Sequence, residues 1–366
     1  MHIVIDGRMV SNTGIGRWLQ NIVSHLIRLG SPHRFTVLVN RDSEHVRRFA
    51  GCTRRLPFSA PIYSLREQVL LPLETARCRP DLVHYPNFNF PLAATTPCVV
   101  TLCDLIYYIF PQACPSWLAH QYARRMIQWS ANRARKLVTI SEYSKQDLIR
   151  WLGVREEKVV IAYPAVDLDL YRPDHGAEAI RAVRQKLGID RPYLFYTGNH
   201  EPRKNVHRLV QAFREMKGRD DFQLVVGGLI DPRRRPLYDG AADLVERRQV
   251  IFSGQIPEAE LPLVYAGASL FVFPSSYEGF GLPPLEAMAS GVPVITSSAS
   301  SLPEVVGEAG IQVSAESVEE IRWAMERVLG DRDLWRDLRQ KGLARARTFS
   351  WEAGARQVLA AYEAAV

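Results

Sequence analysis

Short apolar runs alternate with longer amphipathic stretches through both halves of the chain. The runs hold four to six residues and are rich in β-branched side chains, as is typical of strands in a parallel sheet. They are His2–Asp6, Phe35–Asn40, Asp81–Tyr85, Cys98–Leu102, Lys136–Ile140, Val159–Tyr163, Tyr193–Thr197, Phe222–Gly227, Val250–Ser253, Leu270–Pro274 and Val292–Thr296. Intervening stretches such as Trp18–Leu29, Val206–Met216 and Val318–Leu329 carry apolar residues at helical spacing. This alternation predicts an α/β fold of βαβ units, arranged as two doubly wound parallel sheets.

The two predicted sheets are separated by a segment without a periodic pattern. Asp, Pro and Gly residues cluster in Val166–Gly176, and a new helical pattern begins at Ala177. A chain of 366 residues is also too long for one ordinary core. The sequence therefore predicts one domain over residues 1–175 and a second that begins at residue 176. Because doubly wound sheets bind ligands beyond the carboxyl ends of their strands, we expect the functional residues directly after predicted strands.

The most informative segment follows the predicted strand Leu270–Pro274. A glycine-rich turn, Gly279-Phe280-Gly281, leads into a helix that opens near Leu282–Pro284. Glycines let backbone amides approach a ligand closely, and a helix N-terminus favours an anion such as a diphosphate. Glu278 precedes the turn and Glu286 lies in the helix, so one carboxylate can bind a sugar while the other binds the ribose of the same ligand. The alternative, a strand–turn–helix junction with two solvated glutamates, is disfavoured by the full context.

A second candidate segment follows the predicted strand Tyr193–Thr197. Gly198 opens a loop that contains Arg203 and Lys204. An Arg–Lys pair at the carboxyl end of a strand can neutralise a diphosphate, because arginine binds two oxygens at once. On its own, however, the motif is explained at least as well by a surface loop with two solvated cations.

Gly14 and Gly16 mark a third candidate segment, Val10–Arg17, between the first strand and the first helix. The glycines permit a tight turn whose amides can face a phosphate. A lone Gly-x-Gly is weak evidence, and an ordinary βα loop is an equal alternative.

Charge and cysteine content narrow the functional classes. Residues 1–174 contain 22 Lys and Arg and 14 Asp and Glu, so their net charge is +8. The whole chain has a net charge of +7, so the remaining residues have a net charge of −1. The positive charge of the N-terminal half is explained either by an anionic partner or by arginines that are solvated on helix surfaces. No nucleic-acid-binding motif accompanies this charge, so nucleic acid is disfavoured as the partner. The five cysteines form no CxxC pair, so neither a disulfide framework nor a zinc site is predicted. The sequence shows no signal peptide and no apolar run long enough to cross a bilayer, which favours a cytoplasmic protein.

Two further segments carry weaker signals. Asp167 and Asp169 resemble a metal-binding Asp-x-Asp motif but lie in the predicted linker, so no metal site is predicted there. Basic residues flank Met126, Ile127 and Trp129 on a predicted helix; they are Arg124, Arg125, Arg133, Arg135 and Lys136. This helix can dock on anionic lipid, and packing against its own domain is at least an equal alternative.

In this order and spacing, the three candidate segments resemble those of glycosyltransferase family 4, the retaining nucleotide-sugar transferases of GT-B fold. The resemblance covers essentially the whole chain, is most specific at Glu278–Ala289, and continues through Gly291–Thr296 and Ser301–Gly307. Within the family, the chain is most similar to bacterial mannosyltransferases of lipopolysaccharide and capsule assembly. The resemblance implies two Rossmann-like domains facing a central cleft, with the acceptor on 1–175, the nucleotide sugar on 176–350, and a final helix in 351–366 that returns to the N-terminal domain.

The resemblance also implies a role for each candidate residue. Arg203 and Lys204 would hold the donor diphosphate, Glu278 would bind the donor sugar, and Glu286 would bind the ribose. The backbone that would contact the donor comprises Gly14, Gly16, Gly198, Gly279, Phe280, Gly281 and Leu282. Retention without an obvious carboxylate nucleophile suggests front-face attack, with Arg203 and Lys204 stabilising the departing phosphate.

One position departs from the family pattern. Where members commonly have His-Asp, this chain has Cys103-Asp104. Asp104 is retained and is expected in the catalytic site. Cys103 is expected to be a passive replacement at the end of a strand rather than a catalytic thiol.

The resemblance implies an enzyme that moves a hexose, mannose from GDP-mannose, to a saccharide or lipid-linked saccharide acceptor. No metal or other cofactor is expected, because the basic pair can supply positive charge and no His, Cys or Asp cluster has metal-ligand spacing. The other expected partner is the inner face of the membrane, contacted peripherally by the basic N-terminal domain. The alternatives are a transferase that uses a UDP- or dTDP-sugar, a nucleotide-sugar-binding protein without transferase activity, and an epimerase.

Overall fold

The computed structural model describes residues 1–12, 14–40, 49, 51–56, 62–230, 238 and 240–366. These residues divide into two compact units, one formed by Met1–Pro164 together with Ser350–Val366, and the other by Ala165–Phe349. Each unit is built on one sheet whose recorded strand pairings are all parallel. The predicted α/β fold with two doubly wound parallel sheets is confirmed.

The first unit has a seven-stranded sheet. Its strands are β1 (His2–Asp6), β2 (Arg34–Val39), β3 (Thr53–Arg55), β4 (Leu82–Tyr85), β5 (Cys98–Thr101), β6 (Lys136–Thr139) and β7 (Val159–Ile161). They lie in the order β3-β2-β1-β4-β5-β6-β7. The α-helices before residue 165 are α1 (Ile15–Arg28), α2 (Leu65–Arg77), α3 (Ile106–Ile109), α4 (Trp117–Arg133) and α5 (Glu142–Leu152).

Burial explains why β1 is a central strand. Ile3, Val4 and Ile5 are each fully buried, as expected for a parallel strand that is covered on both faces. On α1, Trp18 and Ile22 are also buried, one helical turn apart. An amphipathic helix thus presents its apolar stripe to the core.

The second unit has a six-stranded sheet. Its strands are β8 (Tyr193–Thr197), β9 (Gln223–Gly227), β10 (Val250–Gly254), β11 (Leu270–Phe273), β12 (Val294–Ser297) and β13 (Gly310–Val313). They lie in the order β10-β9-β8-β11-β12-β13. The helices are α6 (Ala177–Leu187), α7 (Val206–Glu215), α8 (Ala242–Glu246), α9 (Leu261–Ala266), α10 (Leu282–Ala289), α11 (Leu302–Val306), α12 (Val318–Gly330) and α13 (Arg332–Ala346).

The strand order reverses at the same point in both sheets. β1 lies between β2 and β4, and β8 lies between β9 and β11. At such a reversal, the connections that leave the two neighbouring strands run in opposite directions. A crevice therefore opens between them, beyond the carboxyl ends of the strands. The loops after β8 and β11, and those after β1 and β4, are therefore the positions where ligands are expected.

The last helix, α14 (Trp351–Glu363), belongs to the first unit although it follows the second in sequence. It packs against α1, and its Ala355, Val358 and Tyr362 are fully buried. Among the helices of the described residues, none combines the length and apolar character needed to cross a membrane.

Every strand predicted from the sequence is present, with ends that differ by at most two residues. The edge strands β3 and β13 were not predicted, because β3 is Thr53-Arg54-Arg55 and the four residues of β13 include Gly310 and Gln312, which interrupt an apolar run. Short polar edge strands lack the apolar run that marks a central strand. The second compact unit starts at Ala165, and within it Tyr171 packs edge-on against Tyr265 with ring centroids 5.8 Å apart.

Candidate active site

The loops after β8 and β11 are joined to each other in the second unit. The two strands are neighbours, with Leu194 opposite Leu270 and Phe195 opposite Phe271. The first loop ends in a 3-10 turn, Pro202–Lys204, just before α7. The backbone N–H of Ser276 donates to the carbonyl of Arg203 at 2.7 Å. The two predicted motifs thus form one structure at the strand-order reversal.

The side chains of Lys204, Arg203 and Glu278 meet at this point. The Lys204 ammonium and the Ser275 hydroxyl both donate to Oε1 of Glu278. Nη1 of Arg203 lies 3.3 Å from the same oxygen and donates to the carbonyl of Tyr277 at 2.7 Å. None of the described residues donates to Oε2 of Glu278, so this oxygen can accept a ligand hydroxyl.

Burial and neighbouring charges set the protonation of this cluster. Burial raises the pKa of the Glu278 carboxyl, but the positive charges of Lys204 and Arg203 outweigh it and bring the pKa below its ordinary value. Burial lowers the pKa of Lys204, and the negative charge of Glu278 opposes that shift. Glu278 is therefore an ionised hydrogen-bond acceptor at neutral pH, held beside two cationic side chains.

Serines after β12 hold the glycine-rich turn in place. The backbone N–H of Glu278 donates to Oγ of Ser300 at 2.9 Å, and Oγ of Ser301 donates to the carbonyl of Glu278 at 2.9 Å. Ser300 itself has a φ of 54°, a left-handed conformation that is uncommon for a residue with a side chain. Sequence reasoning missed Ser300 and Ser301 as site residues. Their position directly after a strand, like that of Ser275, was the available signal.

The turn that precedes α10 depends on glycine. Gly281 has a φ of 136°, and a Cβ there would lie 2.9 Å from Cδ2 of Leu302. The first three residues of α10 are Leu282, Pro283 and Pro284, and proline has no N–H. The start of α10 therefore offers an anion fewer backbone amides than a helix without these two prolines, and contact of Gly279–Leu282 with a donor remains a prediction.

Glu286 lies within α10 and is almost fully buried, with 3% of its surface exposed. The hydroxyl of Tyr265 donates to Oε2 of Glu286 at 2.9 Å. Tyr265 is itself fully buried and packs edge-on against Phe195, with ring centroids 5.1 Å apart. The Glu286 carboxylate is thus oriented by a tyrosine that the sequence did not single out.

Gly198, after β8, donates its N–H to the carbonyl of Gly227 at 3.3 Å.

The remaining candidates, Gly14, Gly16 and Asp104, belong to the first unit. Gly14 caps α1 with a φ of 71°, and a Cβ on Gly16 would lie 2.7 Å from the carbonyl oxygen of Val10. Thr13 of this loop lies outside the described residues. Oδ1 of Asp104 accepts the N–H of Ile106 at 3.0 Å, at the start of α3. The catalytic and phosphate-binding roles of these residues remain predictions.

The look-alike Asp-x-Asp motif is a turn. Oδ1 of Asp167 accepts the N–H of Asp169 at 3.0 Å and that of Leu170 at 3.2 Å. In the described part of the chain, no group of three or more His, Cys, Asp and Glu residues is placed to hold a metal ion.

On α4, Met126 and Ile127 are buried and Trp129 is exposed, so this helix does pack against its own unit and leaves its other face to solvent.

The sequence and the structure both match known proteins. The family model "Glycosyltransferase Family 4" matches residues 12–170, and the model "Glycosyl transferases group 1" matches residues 179–345. Over 294 residues, the chain is 34% identical to the O-antigen chain mannosyltransferase B of Escherichia coli. The aligned region covers 77% of this chain and 74% of that protein.

A second sequence match covers only part of a longer protein, and a structural match covers nearly the whole of both chains. The serotype-specific mannosyltransferase WbdA of Escherichia coli is 32% identical over 223 residues, which is 60% of this chain but only 27% of that protein. Sucrose-phosphate synthase from Thermosynechococcus elongatus has a TM-score of 0.79 at 22% identity, over 99% of this chain and 98% of that one. At this identity the structural match shows the fold alone, which is GT-B.

Proposed function

Since the chain belongs to glycosyltransferase family 4, we propose that it transfers a mannosyl group from GDP-mannose to a saccharide or lipid-linked saccharide acceptor, with retention at the anomeric carbon. That it is a glycosyltransferase follows from the family. Mannose is supported by the names of two relatives, O-antigen chain mannosyltransferase B and the mannosyltransferase WbdA. Those names also support an acceptor that is part of a cell-surface polysaccharide.

The Lys204–Glu278–Arg203 cluster is the observation that carries the proposal. Arg203 and Lys204 lie at the strand-order reversal, where a nucleotide diphosphate is expected, and would bind its oxygens. Oε2 of Glu278 would accept hydrogen bonds from the hydroxyls of the donor sugar. Glu286, oriented by Tyr265, would accept those of the ribose.

The proposed reaction is a displacement on one face of the donor sugar. The acceptor oxygen bonds to the anomeric carbon while the bond from that carbon to the phosphate oxygen breaks, and its electron pair stays on the phosphate. The acceptor proton passes to the departing phosphate oxygen. The positive charges of Arg203 and Lys204 stabilise the negative charge that grows there, which is the principal contribution of the protein in such a mechanism.

Incubation with radiolabelled GDP-mannose and mannotriose, with and without EDTA, tests this proposal. We expect label in a longer saccharide, an α-anomeric product by NMR, and the same rate in EDTA. Conversion of free donor into another sugar nucleotide would indicate an epimerase, and retention of donor without product would indicate a binding protein. Restoration of activity only by Mg²⁺ or Mn²⁺ would overturn the expected metal independence.

A thermal-shift series with GDP, UDP, dTDP and ADP tests the donor base. A ligand at about 100 times its Kd stabilises the folded protein by about 2.7 kcal/mol. The largest shift is expected with GDP. A larger shift with UDP or dTDP would support the corresponding sugar donor instead.

The proposal of a lipid-linked acceptor is supported by the exposed face of α4. Trp117 and Leu118 expose 69% and 71% of their surface, and Trp129 exposes 43%. Residues 105–141 contain five Lys and Arg and no Asp or Glu. Exposed aromatic side chains on a helix that also exposes Arg124, Arg125 and Arg133 suit an anionic membrane, and we propose peripheral contact at its inner face.

Vesicle flotation tests this contact. The protein should float with vesicles that contain phosphatidylglycerol and stay behind with phosphatidylcholine alone. A double change of Trp117 and Trp129 to Ser should abolish flotation. Trp323→Ser, at a tryptophan with 48% exposure on α12, is the matched control and should float normally. Equal flotation of both variants would remove α4 as the contact.

A further inference from the structure

The first unit has its own strand-order reversal, between β1 and β4, and a group of tyrosines gathers there. Phe88 lies three residues beyond the end of β4. Tyr63 precedes α2, Tyr107 is on α3 and Tyr122 is on α4. Tyr63, Tyr107 and Tyr122 expose 49%, 44% and 39% of their surface, whereas Phe88 exposes only 7%. We call Phe88 with these three residues the tyrosine cluster.

The rings of the tyrosine cluster are in contact with one another. Tyr63 stacks on Phe88 with centroids 5.5 Å apart and ring planes 26° apart. Tyr122 meets Tyr63 edge-on at 6.5 Å, and Tyr107 meets Phe88 edge-on at 6.2 Å. Four segments that are distant in sequence therefore build one aromatic surface, supported from below by a buried ring.

Polar groups border this aromatic surface. Nδ2 of Asn87 donates to the hydroxyl of Tyr63 at 3.1 Å, and the hydroxyl of Tyr122 donates to Oδ1 of Asn89. Nδ2 of Asn89 is buried and has no hydrogen-bond acceptor among the described residues. Burial raises the pKa of Tyr63 to about 12, so its hydroxyl stays protonated. The surface thus offers hydroxyls and amides beside flat aromatic faces.

A buried ionic group fixes the position of Tyr63. The backbone N–H of Tyr63 donates to Oε1 of Glu67 at 3.0 Å, and Oε2 of Glu67 accepts from Arg8 at 2.7 Å. Arg8 also pairs with Asp6 at 2.8 Å, at the end of β1. Glu67, Arg8 and Asp6 expose 0%, 6% and 7% of their surface. This group therefore lies under the surface and is shielded from solvent.

The backbone of Tyr63 is strained. Its φ is 68°, in the left-handed region that residues with a side chain seldom occupy. Such a conformation persists only where surrounding contacts hold it, and residues of this kind cluster at binding and catalytic sites. Here Glu67 accepts a hydrogen bond from the backbone N–H of Tyr63, and the ring of Tyr63 is half-exposed at the strand-order reversal. Aromatic packing that served stability alone would bury the ring, as it buries Phe88.

We propose that the tyrosine cluster binds the saccharide acceptor. A pyranose has a face of C–H groups that packs on an aromatic ring, and a rim of hydroxyls that bonds to amides and phenols, so both of its surfaces find partners here. Tyrosine also supplies contact area at a small entropic cost, because it has only two side-chain torsions. This inference rests on the proposed glycosyltransferase function and assigns its acceptor to Tyr63, Tyr107 and Tyr122.

Ligand-observed NMR with mannotriose tests the binding directly, and kinetics tests its role. Tyr63→Ala, Tyr107→Ala and Tyr122→Ala should each weaken saturation transfer to mannotriose. Each should raise the acceptor KM about tenfold, the effect expected for truncating an aromatic contact. The Kd for GDP should stay unchanged, because GDP is assigned to the second unit. Tyr143→Ala, at a tyrosine with 36% exposure on α5, is the matched control.

Four outcomes separate this inference from the proposed function. A higher acceptor KM in the three variants, with the control like the wild type, supports both. Variants that match the control in mannotriose binding and in KM overturn the tyrosine cluster while leaving the transferase intact. If mannotriose does not bind to the wild type, the assignment of an α-mannosyl saccharide to the tyrosine cluster is also overturned. GDP binding without transfer to any acceptor overturns the proposed function instead. Circular dichroism confirms folding of each variant, and Tyr63→Phe, which keeps the ring, should preserve most binding.

Discussion

Lys204 and Glu278 are 74 residues apart in sequence, yet the ammonium of one donates a hydrogen bond to the carboxylate of the other. The contact joins the loop after β8 to the loop after β11. In the proposed donor site, Lys204 would bind a phosphate and Glu278 would accept a hydrogen bond from a sugar hydroxyl. Two side chains that touch would then bind two groups that are covalently linked in a nucleotide sugar.

Replacement of Glu278 by Ala should abolish transfer and keep GDP binding. The carboxylate is assigned to the sugar, so its loss should lower kcat by a factor of about 10² or more. GDP should bind at least as tightly, because Arg203 and Lys204 lose a competing anion. Radiolabel transfer and GDP calorimetry measure the two effects, with Glu316→Ala, at an exposed glutamate, as the control. Transfer near the wild-type rate would show that the donor site is misassigned.

Replacement of Arg203 or Lys204 by Ala should reduce the rate by about 10²–10³, as expected for the loss of one preorganised charge. GDP binding should weaken as well, since these cations are assigned to the diphosphate. Arg214→Ala is a suitable control, because Arg214 pairs with Asp243 on the same unit. Steady-state kinetics with GDP-mannose provides the measurement. A loss of less than about threefold in both variants would remove the diphosphate role.

Changes at Glu286 and Tyr265 should act on the nucleotide rather than on the sugar. Glu286→Ala should raise the Kd for GDP about tenfold or more. Tyr265→Phe should raise it about fivefold, the effect of losing one hydrogen bond worth about 1 kcal/mol. The ribose assignment predicts that 2′,3′-dideoxy-GDP binds wild type and Glu286→Ala with similar Kd. If the dideoxy nucleotide still distinguished them as strongly as GDP does, the ribose assignment would fail.

The sequence predicted the sheets and the positions of the two donor motifs because these features follow from local pattern. Apolar runs mark buried strands, and the residues after a strand lie at its carboxyl end. This reasoning placed Arg203, Lys204 and Glu278 after the correct strands. It could not show that Lys204 and Glu278 touch, since that contact depends on β8 and β11 being neighbours in the sheet.

The missed residues depend on tertiary structure. Ser300 became recognisable only through its contact with the backbone of Glu278, and Tyr265 only through its contact with Glu286. The tyrosine cluster draws its residues from four separate segments, so no single stretch of sequence carries the pattern. Pro283 and Pro284, by contrast, were visible in the sequence. Because proline has no backbone N–H, they reduce the number of amides that the start of α10 can offer an anion.

His84 should make stability depend on pH below neutrality. It is buried between the hydroxyls of Tyr362 and Thr101, each 2.7 Å from a ring nitrogen, and burial lowers its pKa from 6.5 to about 3. The unfolded chain binds the proton below pH 6.5 and the folded chain does not, so acid favours unfolding over the window from 6.5 to about 3. This group alone should lower the free energy of unfolding by about 2 kcal/mol between pH 7 and pH 5.

Urea unfolding at pH 7, 6 and 5 measures the effect. His84→Gln should be less stable than the wild type at pH 7 and should lose less stability on acidification. A His84→Gln variant with the same slope as the wild type would mean that His84 does not stay neutral when folded.

Cys103 occupies the position where the family commonly has histidine, and we expect it to be passive. Burial raises the pKa of its thiol, and the negative charge of Asp104 raises it further, so the thiol stays protonated at neutral pH. A neutral thiol is a weak hydrogen-bond donor and a poor nucleophile. Cys103→Ala and Cys103→Ser should therefore retain most activity, and iodoacetamide should react slowly at this position whether or not donor is present. A loss of more than about 100-fold in both variants, with circular dichroism unchanged, would establish a direct role for the thiol. Protection from alkylation by GDP-mannose would place the thiol against the donor.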